Sequence, residues 1–237
     1  MAHQLPPIIP FADPFGNAFL LPNAQGFTAV DVGSPATARR IVRYVATLGR
    51  PPQSIHAATA THLHSDHTGG LHELQRLTHC TIVLHRQARR RMHAAGERLW
   101  LHRMAAVVRR PWRIRSLLID PPRFVVGRWL GNLDWIDGWQ VIYTPGHTPE
   151  SVCLYEPEHQ ILLAGDTLVG MRGGLWVNPF SDDAEVLEMS LLTLEQLNVR
   201  IVYPAHGRPA RGAQAFQRAL RRRAPKRAQA WRGWQAV

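Results

Sequence analysis

The densest chemistry in the chain is the run His62-Leu63-His64-Ser65-Asp66-His67-Thr68-Gly69-Gly70. Three imidazoles and a carboxylate within six positions, beside paired glycines, seldom arise for packing, and the set points to a bound cation. His62 and His64 are two apart, so on extended chain both rings face one side and can clamp one ion. Asp66 and His67 follow in a tight turn and can hold a second ion close by. Downstream, Pro145-Gly146-His147-Thr148-Pro149, Gly165-Asp166-Thr167 and Pro204-Ala205-His206-Gly207 each set one more donor in a Gly/Pro loop. Five histidines and two aspartates without a thiolate suit Zn²⁺, and Mn²⁺ or Fe²⁺ are compatible. His3, His56, His72, His79, His85, His93, His102 and His159 lack such settings and read as surface or packed core residues.

The elements that must position these donors alternate between strand and helix patterns. Asn17–Pro22 and Gly26–Val32 flank Asn23-Ala24-Gln25-Gly26 and predict a hairpin. Ser34 starts a helix over Pro35–Leu48, Ile55–Thr61 is a strand running straight into the first motif, Leu71–His79 is helical and Cys80–Leu84 is a short buried strand. Asp137-Gly138 turns into a strand at Trp139–Thr144. Ser151–Tyr155 and Ile161–Ala164 are strands separated by Glu156-Pro157-Glu158. Ser181 caps a helix through Leu197, Val199–Tyr203 is a last strand, and Ala210–Arg223 is a basic helix. From Arg86 to Val108 the pattern is helical and arginine-rich, interrupting the rhythm like an insertion. No donor-bearing motif falls inside a predicted helix; each follows a strand.

With 237 residues, 45% of them apolar, the chain can bury a full core, and we read it as one domain over 1–237. No apolar run approaches the ~18 residues of a membrane span. The start, Met1–Pro10, lacks basic residues and is broken by Pro6, Pro7 and Pro10, which argues against a secretory signal. Cys80 and Cys153 are isolated, as expected of buried thiols in a reducing, cytoplasmic setting. The net charge of +11 is unevenly placed. An insertion at 86–128 carries +10 and the segment 208–237 carries +9, leaving −8 for everything else. Such blocks attract phosphates, nucleic acid or acidic small molecules. Arginine bias in composition is the alternative, since Lys226 is the one lysine.

In order and spacing, the HxHxDH run, Thr144–Thr148, Gly165–Thr167, His206-Gly207 and an early Asp31-Val32-Gly33 resemble the metallo-β-lactamase superfamily of di-metal hydrolases. The likeness spans about Asn17 to Gly207. It implies an α/β fold, a four-layer αβ/βα sandwich with metals at one edge of two packed sheets. It also implies that His62, His64 and His147 hold one metal, that Asp66, His67 and His206 hold the other, and that Asp166 bridges them. Asp31 would support the site from behind. Two cations so placed supply a bridging hydroxide as nucleophile and polarise the scissile bond. Asp66 would be either a ligand alone or also the group that passes a proton to the leaving group.

Departures from known members narrow the substrate. Asp166 is unlike the cysteine or serine near this place in true β-lactamases. Ala205-His206-Gly207-Arg208 replaces the GHEYT of glyoxalase II, and Val169 stands where acyl-homoserine lactonases carry tyrosine. The full donor set disfavours persulfide dioxygenases, which use one iron. The resulting expectation is a hydrolase of a carboxylic ester, thioester or lactone, small and anionic if the arginine insertion roofs the site. A metal-dependent phosphodiesterase or nuclease is the alternative, supported by Tyr203–Gly207 and the two basic segments. A non-catalytic binding protein that keeps the fold comes third. The sequence leaves the oligomeric state open.

Overall fold

The computed structural model describes residues 8–13, 16–92 and 123–221. Asn17–Asn23 (β2) and Gly26–Val30 (β3) form the predicted hairpin, with Asn23 paired to Gly26. Asn23 Oδ1 accepts from the backbone N–H groups of Gln25 and Gly26, both at 2.9 Å, which fixes the turn. Ile9–Ala12 (β1) adds antiparallel to β2, and from β3 the sheet continues in parallel through Ile55–Thr59 (β4), Thr81–His85 (β5) and Val126–Leu130 (β6). The second sheet contains Trp135–Ile136 (β7), Trp139–Tyr143 (β8), Val152–Glu156 (β9), Ile161–Gly165 (β10), Ile201–Pro204 (β13) and Ala210–Arg211 (β14), in the order β14-β13-β10-β9-β8-β7. Leu168–Met171 (β11) and Gly174–Val177 (β12) make a separate hairpin.

The period-two alternation of strand side chains builds four layers. Phe19 and Leu21 point between the sheets, where they meet Leu154, Ile161 and Leu163 of the second sheet. Leu20 points the other way, onto the helices Pro35–Thr47 (α1) and Leu71–Thr78 (α3), among Ile41, Val45 and Leu74. Leu162 likewise packs outward against Ala184–Glu195 (α5) and Ala213–Arg221 (α6), with Leu191, Leu194 and Phe216. The result is the expected αβ/βα sandwich. α1 begins as its sequence requires, with Ser34 Oγ accepting from Thr37 N at 3.1 Å and Pro35 in the first turn.

Several boundaries differ from the sequence expectation. Asp183, not Ser181, caps α5: its Oδ1 accepts from Glu185 N and Val186 N at 3.0 Å, whereas Ser181 Oγ donates to Asn178 O at 3.2 Å. α6 starts at Ala213 because Ala210 and Arg211 first pair with β13. Residues 86–92 are helical (α4), and the remainder of the helix expected to Val108 lies outside the described residues, as does the chain beyond Arg221. Val126, Gly127 and Arg128 at the end of the proposed 86–128 insertion belong to β6, an edge strand of the first sheet.

Candidate metal centre

All seven predicted donors gather at one end of the sandwich, on loops leaving the C-terminal ends of four strands. His62, His64, Asp66 and His67 follow β4, His147 follows β8, Asp166 follows β10 and His206 follows β13. β4 ends at Thr59, so His62 and His64 lie beyond the strand, and a bend rather than strand alternation turns their rings together. Ser65–Thr68 (α2) then carries Asp66 and His67. The loop after β3 presses directly on this turn: a Cβ on Gly33 would sit 2.0 Å from the Asp66 carbonyl oxygen, so only glycine fits.

His62, His64 and His147 converge through one nitrogen each. His62 Nε2 is 2.9 Å from His64 Nδ1, and His147 Nε2 is 3.3 Å from both. Burial, reinforced by neighbouring His67, His64 and His147, pushes His62 well below the usual imidazole range. Burial, followed by the effect of His147, brings His64 down to about 4. Both are therefore neutral at pH 7. His147 Nδ1 donates to the Phe180 carbonyl at 2.6 Å, which leaves the Nε2 lone pair aimed at the other two rings. Nitrogens bound tetrahedrally to zinc at ~2.0–2.1 Å are separated by about 3.3 Å, the spacing of His147 from both other rings, while His62 and His64 stand closer at 2.9 Å.

The adjoining cluster is rich in carboxylate. His67 Nδ1 lies 3.2 Å from Asp31 Oδ2, and Asp31 is itself held by Thr61 N at 2.8 Å and Thr61 Oγ1 at 2.9 Å. This turns His67 Nε2 toward Asp166 Oδ1 at 3.6 Å and Asp66 Oδ2 at 3.8 Å. His206 Nε2 is 3.3 Å from those same two carboxylate oxygens. The other oxygen of Asp166 lies 3.5 Å from His147 Nε2, so this one carboxylate faces both clusters. Burial opposes charge on His67, but Asp31 and Asp166 outweigh it and raise the ring to about 9. His206 is raised to about 10, because the adjacent carboxylates of Asp166 and Asp66 overcome burial in the same way. Burial would lift the Asp166 carboxyl, yet His67 and His206 hold it at about 2.

Asp66 Oδ1, His67 Nε2 and Asp166 Oδ1 are buried without a hydrogen-bond partner. Orphaned buried polar atoms are costly and rare, and three belong to this one cluster. Donors from His62, His64 and His147, from His62, His67 and Asp166, and from Asp66, His67 and His206 form three sets whose ligand atoms lie within 4.8 Å of one another. The residues present fit divalent cations in number, type and spacing.

Sequence reasoning missed Glu150, which follows the His147 motif directly. Its buried carboxylate accepts from Leu63 N, between His62 and His64, at 3.2 Å, and pairs with Arg91 at 3.0 Å. A carboxylate two residues ahead of the apolar run Val152–Tyr155 was the available signal. Of the histidines expected to be bystanders, His56 pairs with Asp137 at 3.1 Å, His159 with Glu156 at 2.9 Å, and His85 stacks on Tyr143 with ring centres 4.7 Å apart. His3, His93 and His102 lie outside the described residues.

Residues 13–206 match the sequence profile of the metallo-beta-lactamase superfamily. The probable metallo-hydrolase YflN of Bacillus subtilis is 24% identical over 213 residues, which cover 79% of this chain and 78% of YflN. The human acyl-coenzyme A thioesterase MBLAC2 is 32% identical over 160 residues, 63% of this chain, and the match spans about half of that relative, 55%. Among solved structures, TTHA1623 in a di-iron-bound form superposes with a TM-score of 0.64 at 27% identity, covering 86% of this chain and 94% of that one.

Proposed function

The chain belongs to the metallo-β-lactamase superfamily, and on that premise we propose that it is a di-metal hydrolase of thioesters, with carboxylic esters and lactones as the neighbouring substrate class. The observation that carries the reading is Asp166, whose two oxygens face a three-histidine cluster on one side and an Asp66, His67 and His206 cluster on the other. In this reading His62, His64 and His147 hold one ion, Asp66, His67 and His206 hold the second, and Asp166 is shared. The similarity to an acyl-coenzyme A thioesterase supports thioester as the bond. Zinc suits the donors, and the di-iron form of TTHA1623 makes iron the main competitor.

Two divalent cations, when bound, make water a competent nucleophile near neutral pH and polarise an acyl carbonyl. The protein's own groups do the rest. Asp31 holds the proton on His67 Nδ1 and so presents Nε2 to the centre. The Phe180 carbonyl does the same for His147. Asp66 acts as a ligand rather than as the proton donor. Burial would raise its carboxyl, but the His206 bond and the charge on His67 hold it below the usual value, which makes it a poor acid. A thiolate leaving group, with a parent thiol near pKa ~8.5, departs without such help.

No helix among the described residues is long and apolar enough to cross a membrane. Cys80 and Cys153 are free and buried, which supports a reducing, cytoplasmic setting for the proposed reaction. The test is elemental analysis combined with turnover of a coenzyme A thioester, an aryl ester and single-stranded RNA by zinc-, manganese- and iron-loaded protein. About two ions per chain with thioester cleavage is the expected result. RNA cleavage without acyl hydrolysis would transfer the assignment to a phosphodiesterase, and fewer than two ions after reconstitution would end the binuclear reading.

A further inference from the structure

One residue beyond His206 the surface opens into a cleft of about 730 Å³, bounded by the turn of the β11–β12 hairpin, the loop after β13 and helix α6. Among the described residues four arginines line it, Arg172, Arg208, Arg211 and Arg218, and no acidic residue does. Ion pairs do form at other arginines: Arg39 and Arg76 bind Glu73, and Arg91 binds Glu150 and Asp182. Among the described residues no carboxylate forms an ion pair with any of the four in the cleft. Four exposed like charges thus line one cleft without a paired carboxylate, an arrangement that a bound anion would relieve.

The cleft is also tied to the metal centre. Gly170 N donates to the His206 carbonyl at 2.7 Å. Gly207, at φ +89°, lies so close to the hairpin that a Cβ there would be 1.8 Å from the Gly170 oxygen. The hairpin and the His206 loop are therefore packed backbone against backbone. The volume is that of a small-molecule site, and guanidinium forks match phosphate and carboxylate oxygens bidentately, so several of them together suit a ligand carrying more than one phosphate. We propose that this cleft holds the phosphorylated nucleotide end of a thioester substrate whose thiol is of the coenzyme A kind, while the acyl group reaches the metal centre. This rests on the thioesterase reading above and adds where the leaving group is gripped.

The test compares octanoyl-coenzyme A with octanoyl-pantetheine, which has the same thioester and acyl chain but no phosphates. In metal-loaded full-length protein, the combined variant Arg172→Gln, Arg208→Gln, Arg218→Gln should raise KM for the coenzyme A thioester at least tenfold, about 1.4 kcal/mol. Its kcat, and both constants for the pantetheine thioester, should stay within twofold. Equal changes for both substrates, or none, overturn the proposal. Calorimetric titration with adenosine 3′,5′-bisphosphate reads the cleft independently of turnover, with binding by the parent protein and loss in the variant expected. Absent binding overturns the cleft, as does a preference for single-stranded RNA over the bisphosphate. Bisphosphate binding with no turnover of either thioester supports the phosphate site and removes the thioesterase reading instead.

Discussion

His62 and His64 meet beside His147 as uncharged rings, whereas His67 and His206, a few ångströms away, sit as cations among Asp31, Asp66 and Asp166 in the metal-free protein. The same side chain is thus held in two protonation states by its neighbours. Burial dominates in the first cluster, and carboxylates overcome it in the second. One half of the centre is ready for a cation as it folds; the other half stores protons in the place a cation would take.

The largest expected effect comes from removing the carboxylate common to both halves. Asp166→Ala should drop metal content below one ion per chain and lower kcat/KM on the order of 10³-fold, the equivalent of several kcal/mol of electrostatic stabilisation. His72→Ala, which alters an exposed position on α3, should leave both readouts unchanged. If the two variants behave alike while retaining native circular dichroism, the donor assignment is wrong.

Proton competition should separate the halves next. His67 and His206 are raised to about 9 and about 10, so a cation entering their cluster at pH 7 must displace protons. Its affinity there should climb between pH 7 and 9, by up to about tenfold per pH unit for each proton released, while His62 and His64, already neutral, release none over that range. Calorimetry at several pH values in buffers of different ionisation enthalpy would measure this. Two sites with identical pH slopes would erase the distinction. The same groups govern the metal-free fold. Their stabilisation is fully present below the unfolded histidine pKa of ~6.5 and is lost as pH rises through about 9 to 10, so the melting temperature of the metal-free protein should fall over that alkaline span.

Asp31→Asn should be milder, a 10- to 100-fold loss of affinity confined to the His67 half, as is typical of a carboxylate behind a ligating histidine. A loss spread evenly over both ions would mean that Asp31 acts on the whole loop through Thr61. The smallest effect belongs to Glu150. Glu150→Gln keeps an acceptor for Leu63 N and should change little, whereas Glu150→Ala leaves that buried N–H unpaired and should cost about 1–3 kcal/mol in chemical denaturation. Equal stability of the two variants would show that the Arg91 ion pair, not the Leu63 contact, is what Glu150 supplies.

The donors were legible because each stands just after an apolar strand and beside Gly or Pro, a local pattern that survives without tertiary context. Asp31 could be placed at a strand end, but its partner His67 became visible only when β3 and β4 were seen side by side. β6 escaped notice since it presents exposed Gly127 and Arg128 at a sheet edge, with little of the apolar alternation that marks a strand. The β11–β12 hairpin was hidden by its brevity, although Arg172-Gly173-Gly174 carries a turn signal. The cap of α5 was misplaced by two residues because Ser181 and Asp183 are both good cap residues, and only the path of the chain decides which side chain meets the free N–H groups.

The position of β13 in the second sheet has a consequence for how the protein is made. Its strand lies between β10 and β14 and delivers His206, the last of the seven donors in the chain. On a ribosome adding ~5–20 residues per second, His206 is joined roughly 7 to 28 seconds after His67. Throughout that interval the nascent chain displays the HxHxDH loop with no His206 to complete it. The centre is therefore finished only once His206 has been made and β13 has joined its sheet, and metallation is expected to follow that step, sensitive to which cations the cell leaves free at that moment.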